Sequence, residues 1–180
     1  MPEDAKNTEE TTEELVEETV ALIPQVEAAR EVLEPLSTST TASGTKLLYV
    51  AVSLDQLNEA TEAIVGSGLG YLISITPVDL GVEENQFEVL YHFGVGPGVV
   101  TIRITIPRDE PVIPSVCEQV PSATYYEREL MEMFGIDVTD TPNRTRLYLP
   151  DQWPQGIYPM RKDYVPRSER QLPESKKDKV

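Results

Sequence analysis

The sequence predicts an α+β fold: a small mixed or antiparallel sheet with helices on one face, followed by an extended, proline-rich C-terminal arm. Three observations carry this. Phe87, Val89, Tyr91 and Phe93 alternate with polar residues, as do Val100, Ile102, Ile104 and Ile106, which is the period-two pattern of half-buried strands. Leu54, Leu57, Thr61, Ile64 and Val65 recur at helical spacing between two short apolar runs. Beyond residue 140, prolines at 142, 150, 154, 159 and 166 each remove a backbone donor and fix φ, which excludes both helix and central strand.

Taken in order, Thr11 opens a helix through a capping box with Glu14, and Leu15, Val16, Val20, Leu22 and Ile23 supply its apolar side. Pro24 is expected to stop or kink it. Residues 25–34 have helical composition but are left open between helix and strand. The Ser/Thr-rich stretch 37–45 around Gly44 reads as a flexible turn and a domain boundary. Three regions follow: an acidic extension over 1–36, an α+β core over 46–136, and a docking arm and tail over 137–180.

Within the core, Leu47 to Val52 is a strand. Ser53 and Gln56 form a second capping box for the helix that Gly66 and Gly68 end. Tyr71 to Val78 is the next strand, and the two alternating strands are joined by GlyValGlyProGly at 94–98. That loop joins strand to strand and is followed by no Lys-Ser/Thr, so it is a hairpin turn rather than a phosphate loop. Polar Thr101, Arg103 and Thr105 alternate with the isoleucines, so the second face of the sheet is solvated or covered by a partner. A short helix carries Cys117. Another runs from an N-cap at Ser122 through Leu130, Met131, Met133 and Phe134 to Gly135.

Composition excludes several functions. The net charge of −16 argues against nucleic-acid binding, which needs clustered Lys and Arg. Charge is uneven: residues 1–36 hold eleven acidic side chains against two basic ones, a net of −9, whereas 161–180 hold seven basic against four acidic, a net of +3. The acidic head either docks on a basic neighbour or is a solvated face. One cysteine, Cys117, and one histidine, His92, cannot assemble an iron–sulfur cluster or a structural zinc site. Cys117 reads as a small buried residue and His92 as a strand residue with a structural hydrogen bond. Glu127, Arg128 and Glu129 form a charged network rather than an acid–base pair, since nothing near them supplies a nucleophile. No apolar run has the length of a membrane span, and the N-terminus lacks the layout of a signal peptide, so a membrane link is expected through partners.

The arm carries Leu147, Tyr148, Leu149, Trp153, Ile157, Tyr158, Met160 and Tyr164, more apolar area than a solvated linker holds. Two readings stand on these residues: a surface buried against a partner, or an arm folded back over its own domain.

The order of blocks is specific. GluArgGlu at 127–129 leads to MetPheGlyIle at 133–136, then, after Arg144 and Arg146, to LeuTyrLeuProAspGlnTrp at 147–153 and ProMetArgLysAspTyr at 159–164. Over about residues 46–166 this resembles the 30 kDa (C-type) subunit family of respiratory complex I, shared with membrane-bound energy-converting [NiFe] hydrogenases. Met131 and Glu132 stand where the complex I form has an aromatic residue and Asp, and Asp140 and Thr141 replace its Gly-His; the sequence from Pro142 to Pro159 is more similar to the hydrogenase branch.

The resemblance implies a structural subunit, itself without cofactor, in the peripheral arm of such an oxidoreductase at the cytoplasmic face of the membrane. Its partners would be the large catalytic subunit, with its Ni–Fe or quinone site, and subunits holding [4Fe–4S] clusters. Respiratory NADH:quinone oxidoreductase is the alternative, as are complexes oxidising a reduced deazaflavin or formate. The docking residues implied by the matching motif positions are Glu127, Arg128, Glu129, Phe134, Arg144, Arg146, Trp153, Arg161, Lys162, Asp163 and Tyr164.

Overall fold

Apolar residues that alternate along a strand give it one face to bury. In the computed structural model, which describes residues 21–166, β4 (Gln86–Val95) and β5 (Gly98–Pro107) form the centre of a five-stranded sheet. Tyr91 lies opposite Ile102 and Val89 opposite Ile104, and all four are buried to within 1% of their surface. The hairpin between them closes over Gly96 and Pro97, with Gly96 at the positive φ of 56° that primed two-residue turns require.

β3 (Tyr71–Gly81) pairs antiparallel with β4 on one side. β2 (Leu47–Val52) runs parallel to β5 on the other, and β1 (Ser37–Ser43) closes that edge antiparallel to β2. The order is β1-β2-β5-β4-β3, a mixed sheet. α1 (Pro24–Leu33) buries Val26, Ala29 and Leu33, and α2 (Leu57–Val65) buries Leu57, Ala60, Thr61 and Ile64, in one cluster with the inward strand residues. Gly98 permits the close approach: a Cβ there would stand 2.4 Å from Val26 Cγ2. A parallel two-stranded ribbon, β6 (Val112–Pro114) with β7 (Asp137–Thr139), flanks α3 (Thr124–Glu129). No helix among the described residues is long and apolar enough to cross a membrane.

Several expectations are corrected. The Ser/Thr stretch is a strand rather than a flexible turn, because Ser39 to Ser43 pair residue by residue with Ala51 to Leu47; only residues 44–46 turn. Pro24 opens a helix instead of ending one, since its fixed φ suits the first helical position. Residues 25–33 are thereby helix, while the helix expected from Thr11 lies, up to residue 20, outside the described residues. Ser53 Oγ donates to the Gln56 side chain at 2.8 Å rather than capping a backbone amide, and a 3₁₀ turn (Leu54–Gln56) precedes α2. Cys117 sits in a turn, not a helix. Ser122 caps nothing, because Pro121 starts a 3₁₀ turn one residue earlier. On the second sheet face Thr105 is exposed and Arg103 half-buried, but Thr101 is buried, 2.9 Å from His92 Nδ1.

Candidate functional site

The arm is built onto one short helix. α3 continues into a wider π turn (Leu130–Phe134) and stops at Gly135, whose left-handed φ of 69° ends helices without a Cβ penalty. Leu130, Phe134 and Ile136 point into the core, and the Phe134 ring meets Phe87 edge-on at 6.2 Å. The opposite side of the same turn holds the arm.

Glu127 is 1% exposed. Its carboxylate accepts from Ser115 Oγ at 2.9 Å, from the Val116 amide at 2.9 Å and from Cys117 Sγ at 3.1 Å. The residue braces the 115–117 turn from inside, so neither it nor the core-buried Phe134, both expected at the docking surface, offers a partner more than a few per cent of its own surface. Burial, then the neighbouring Glu127 carboxylate, pushes the Cys117 thiol up to about 11, so it stays protonated at neutral pH.

Glu132 faces outward. It accepts from three consecutive arm amides, Leu147 at 3.1 Å, Tyr148 at 2.7 Å and Leu149 at 2.9 Å. Arginines fasten the rest by donating to backbone carbonyls. Arg128 donates to Thr145 and Arg146 at 2.8 and 2.6 Å, and Arg146 to Pro150 and Trp153, both at 2.9 Å. Arg144 donates to the Val138 carbonyl at 2.8 Å and pairs with Asp137. Arg161 donates to the Phe134 carbonyl at 2.7 Å and stacks over the Tyr158 ring at 4.6 Å. That ring in turn lies where a Cβ on Gly135 would be, 2.3 Å from its Cζ. Trp153 Nε1 donates to the Ile157 carbonyl at 2.8 Å, and its ring lies 6.4 Å from that of Tyr164.

A second fastening reaches back to the sheet. Asp79, on β3, accepts from Arg108 Nε at 3.0 Å and from the amides of Lys162 at 2.8 Å and Gly81 at 2.9 Å. Arg108 also pairs with Asp163, so one guanidinium joins the sheet to the arm. Burial alone would raise the Asp79 carboxyl, but the hydrogen bonds from Arg108, Lys162 and Gly81 outweigh it and hold the carboxyl below the usual range. Burial, and then the nearby Arg108, pull Arg161 below its usual value.

Of the two readings of the arm, the fold-back is therefore observed within the chain, and it leaves side chains projecting. Tyr125, Tyr148, Met160 and Val165 are 59–79% exposed, and Arg128, Glu132, Arg144, Trp153 and Tyr158 line a cleft of about 430 Å³ between helix and arm. Glu129 is half-buried, and its side chain takes part in no hydrogen bond or ion pair among the described residues. Arg128, Arg144, Arg146 and Trp153 line this cleft, and Arg161, Asp163 and Tyr164 line a second one that shares Gly156, Ile157 and Tyr158 with it, whereas Glu129 and Lys162 line neither. Sequence reasoning missed Asp79, Arg108 and Glu132. The available signal for Asp79 was a charge at a core-facing position, opposite Phe87, in an otherwise apolar alternation.

Residues 50–170 match the family described as the respiratory-chain NADH dehydrogenase 30 Kd subunit. Formate hydrogenlyase subunit 5 of Escherichia coli is 32% identical over 70% of this chain and 23% of its own length. Membrane-bound hydrogenase subunit beta of Pyrococcus furiosus is 42% identical over 42% of this chain and 44% of its own. The C-type NADH-quinone oxidoreductase subunit of Dinoroseobacter shibae is 40% identical over 52% and 43%. The chain thus spans less than half the length of these relatives. One chain of the membrane-bound sulfane sulfur reductase, an archaeal respiratory membrane complex, shares the fold with a TM-score of 0.68 at 24% identity, covering 78% of this chain and 85% of that one. The relatives are subunits of complex I-like hydrogenases and NADH-quinone oxidoreductases. With the match running through core and arm alike, the chain belongs to the family of the 30 Kd subunit of respiratory-chain NADH dehydrogenase.

Proposed function

We propose that this chain is a structural subunit, itself without cofactor, in the peripheral arm of a membrane-bound energy-converting hydrogenase, docked through its C-terminal arm at the cytoplasmic face. The observation that carries this is the combination of rigidity and exposure. Polar groups that a free arm would leave hydrated are engaged on the arm's own backbone, while Tyr148, Met160 and Val165 project outward. A protruding aromatic and aliphatic patch on a pre-ordered support loses little conformational entropy when it is buried, which favours docking. The partners are a large catalytic subunit that holds Ni–Fe and smaller ones that hold [4Fe–4S] clusters. The chain acts by keeping them in register.

The hydrogenase branch is supported by Met131, Glu132, Asp140 and Thr141 at the motif positions, and by relatives from formate hydrogenlyase and the membrane-bound hydrogenase. The second reading, a respiratory NADH:quinone oxidoreductase, is favoured by the relatives of that name. Trp153→Ala tests the docking role: incorporation of the chain into the membrane complex should fall several-fold while turnover per assembled complex is unchanged. Normal assembly with lost turnover would contradict a scaffold.

A further inference from the structure

The two edges of the sheet are treated differently. At the β3 edge the chain covers itself: Tyr126 Oη donates at 2.6 Å to the carbonyl of Ile73, the residue left at the β3 bulge, and the arm bonds Asp79. At the other edge no strand among the described residues pairs with the outer side of β1. Every residue from Thr38 to Ser43 is exposed, and SerThrSerThrThrAlaSer carries neither charge nor proline. Its one irregularity is at the Ser37 end. Sheet edges are ordinarily protected by charge, proline or bulges, because their free amides and carbonyls pair with any extended chain.

A groove of about 600 Å³ runs beside this edge, lined by Leu22, Glu27, Arg30, Thr40, Ala42 and Leu48. A strand laid along β1 would place alternate side chains in it. Glu27, Glu31 and Glu34 recur at i, i+4 and i+7, one stripe of α1 and the turn after it. Glu27, which lines the groove, pairs with Arg30; Glu31 and Glu34 take part in no ion pair among the described residues. The stripe extends about 10 Å, within reach of two side chains set about 7 Å apart at alternate strand positions. We infer that β1 is a strand-addition site, whose free edge and the acidic stripe of α1 beside it take an extended segment of a partner subunit bearing basic side chains at alternate positions. A second copy would bring its own −16 charge and the same stripe. Residues 1–20 hold eight acidic side chains against Lys6, so their sequence supplies no basic side chains at alternate positions.

This inference uses the assembly proposed above but a different surface. Hydrogen exchange of the full chain, alone and in the complex purified from membranes, tests it. In the complex, amides of residues 37–43 should exchange at least about tenfold more slowly, and Thr41→Lys or the pair Glu31→Lys and Glu34→Lys should remove that slowing. Unchanged exchange at 37–43 beside slowed amides in 150–166 would overturn the inference and leave the docking arm standing. Unchanged amides in both would overturn both. Slowing already present in the free chain, lost on dilution or on deletion of residues 1–20, would assign the edge to a second copy or to the chain itself and overturn a partner strand. Slowing that survives the Lys pair would overturn a basic one.

Discussion

Around Ile102 the neighbours are Tyr91, Val50 and other apolar side chains, whereas the amides of Leu147, Tyr148 and Leu149 hang from one carboxylate, Glu132. The sheet is held by excluding water from hydrocarbon, which is non-directional and sums over many residues. The arm is held by directed bonds, from arginines to backbone carbonyls and from amides to carboxylates, each contributing about 1.5–3 kcal/mol at most where a charge takes part. A surface built the second way can stay half-exposed, keep its shape and still present apolar groups. The first way buries whatever it orders.

Ile102→Ala should cost about 4 kcal/mol through lost transfer energy and an unfilled cavity, lowering the thermal midpoint of sheet and arm together. A loss confined to the arm would show that the two are not built as described. Arg108→Met touches both regions, since it leaves Asp79 buried without its cation and frees Asp163. About 3 kcal/mol is expected, with earlier proteolysis between residues 150 and 166. The same carboxyl sets an acid limb. Its folded-state pKa lies below the unfolded value of about 3.9, so its stabilisation is present above that value and is lost as pH falls through the lower one. Asp79→Asn should flatten acid unfolding below about pH 4 while lowering stability at pH 7. Glu132→Ala sharpens the contrast most. Global unfolding should move by no more than about 1 kcal/mol, because the three amides reach water, yet exchange at residues 147–149 should rise by at least tenfold. An equal loss in the sheet would contradict the separation.

The parts of the fold legible in the sequence were those held the first way. Alternation placed β4 and β5, and helical spacing placed α2, because burial repeats with the geometry of the element. β1 carried no such mark: as an edge strand with every residue from Thr38 exposed, it needs no apolar residue, and its Ser/Thr run reads as a loop. Pro24 was ambiguous because proline suits the first turn of a helix as well as the end of one. The arm's existence could be read from its prolines and aromatics, but its fastenings could not. Asp79 and Arg108 lie 29 residues apart, and Arg108 and Asp163 lie 55 apart, so no local pattern joins them. Glu127 and Glu129 are two residues apart in one motif, yet one is sealed in the core and the other faces out; helix phase decided that, and a motif does not carry phase.

Isolation of the chain from membranes in mild detergent, with mass spectrometry and metal analysis of what comes with it, reads out whether the pre-ordered arm docks in a membrane-bound hydrogenase. A nickel-containing large subunit, iron–sulfur subunits and membrane proteins are expected in fixed proportion to this chain. The same set without nickel would contradict the hydrogenase assignment, and recovery of the chain alone from the soluble fraction would contradict the docking role.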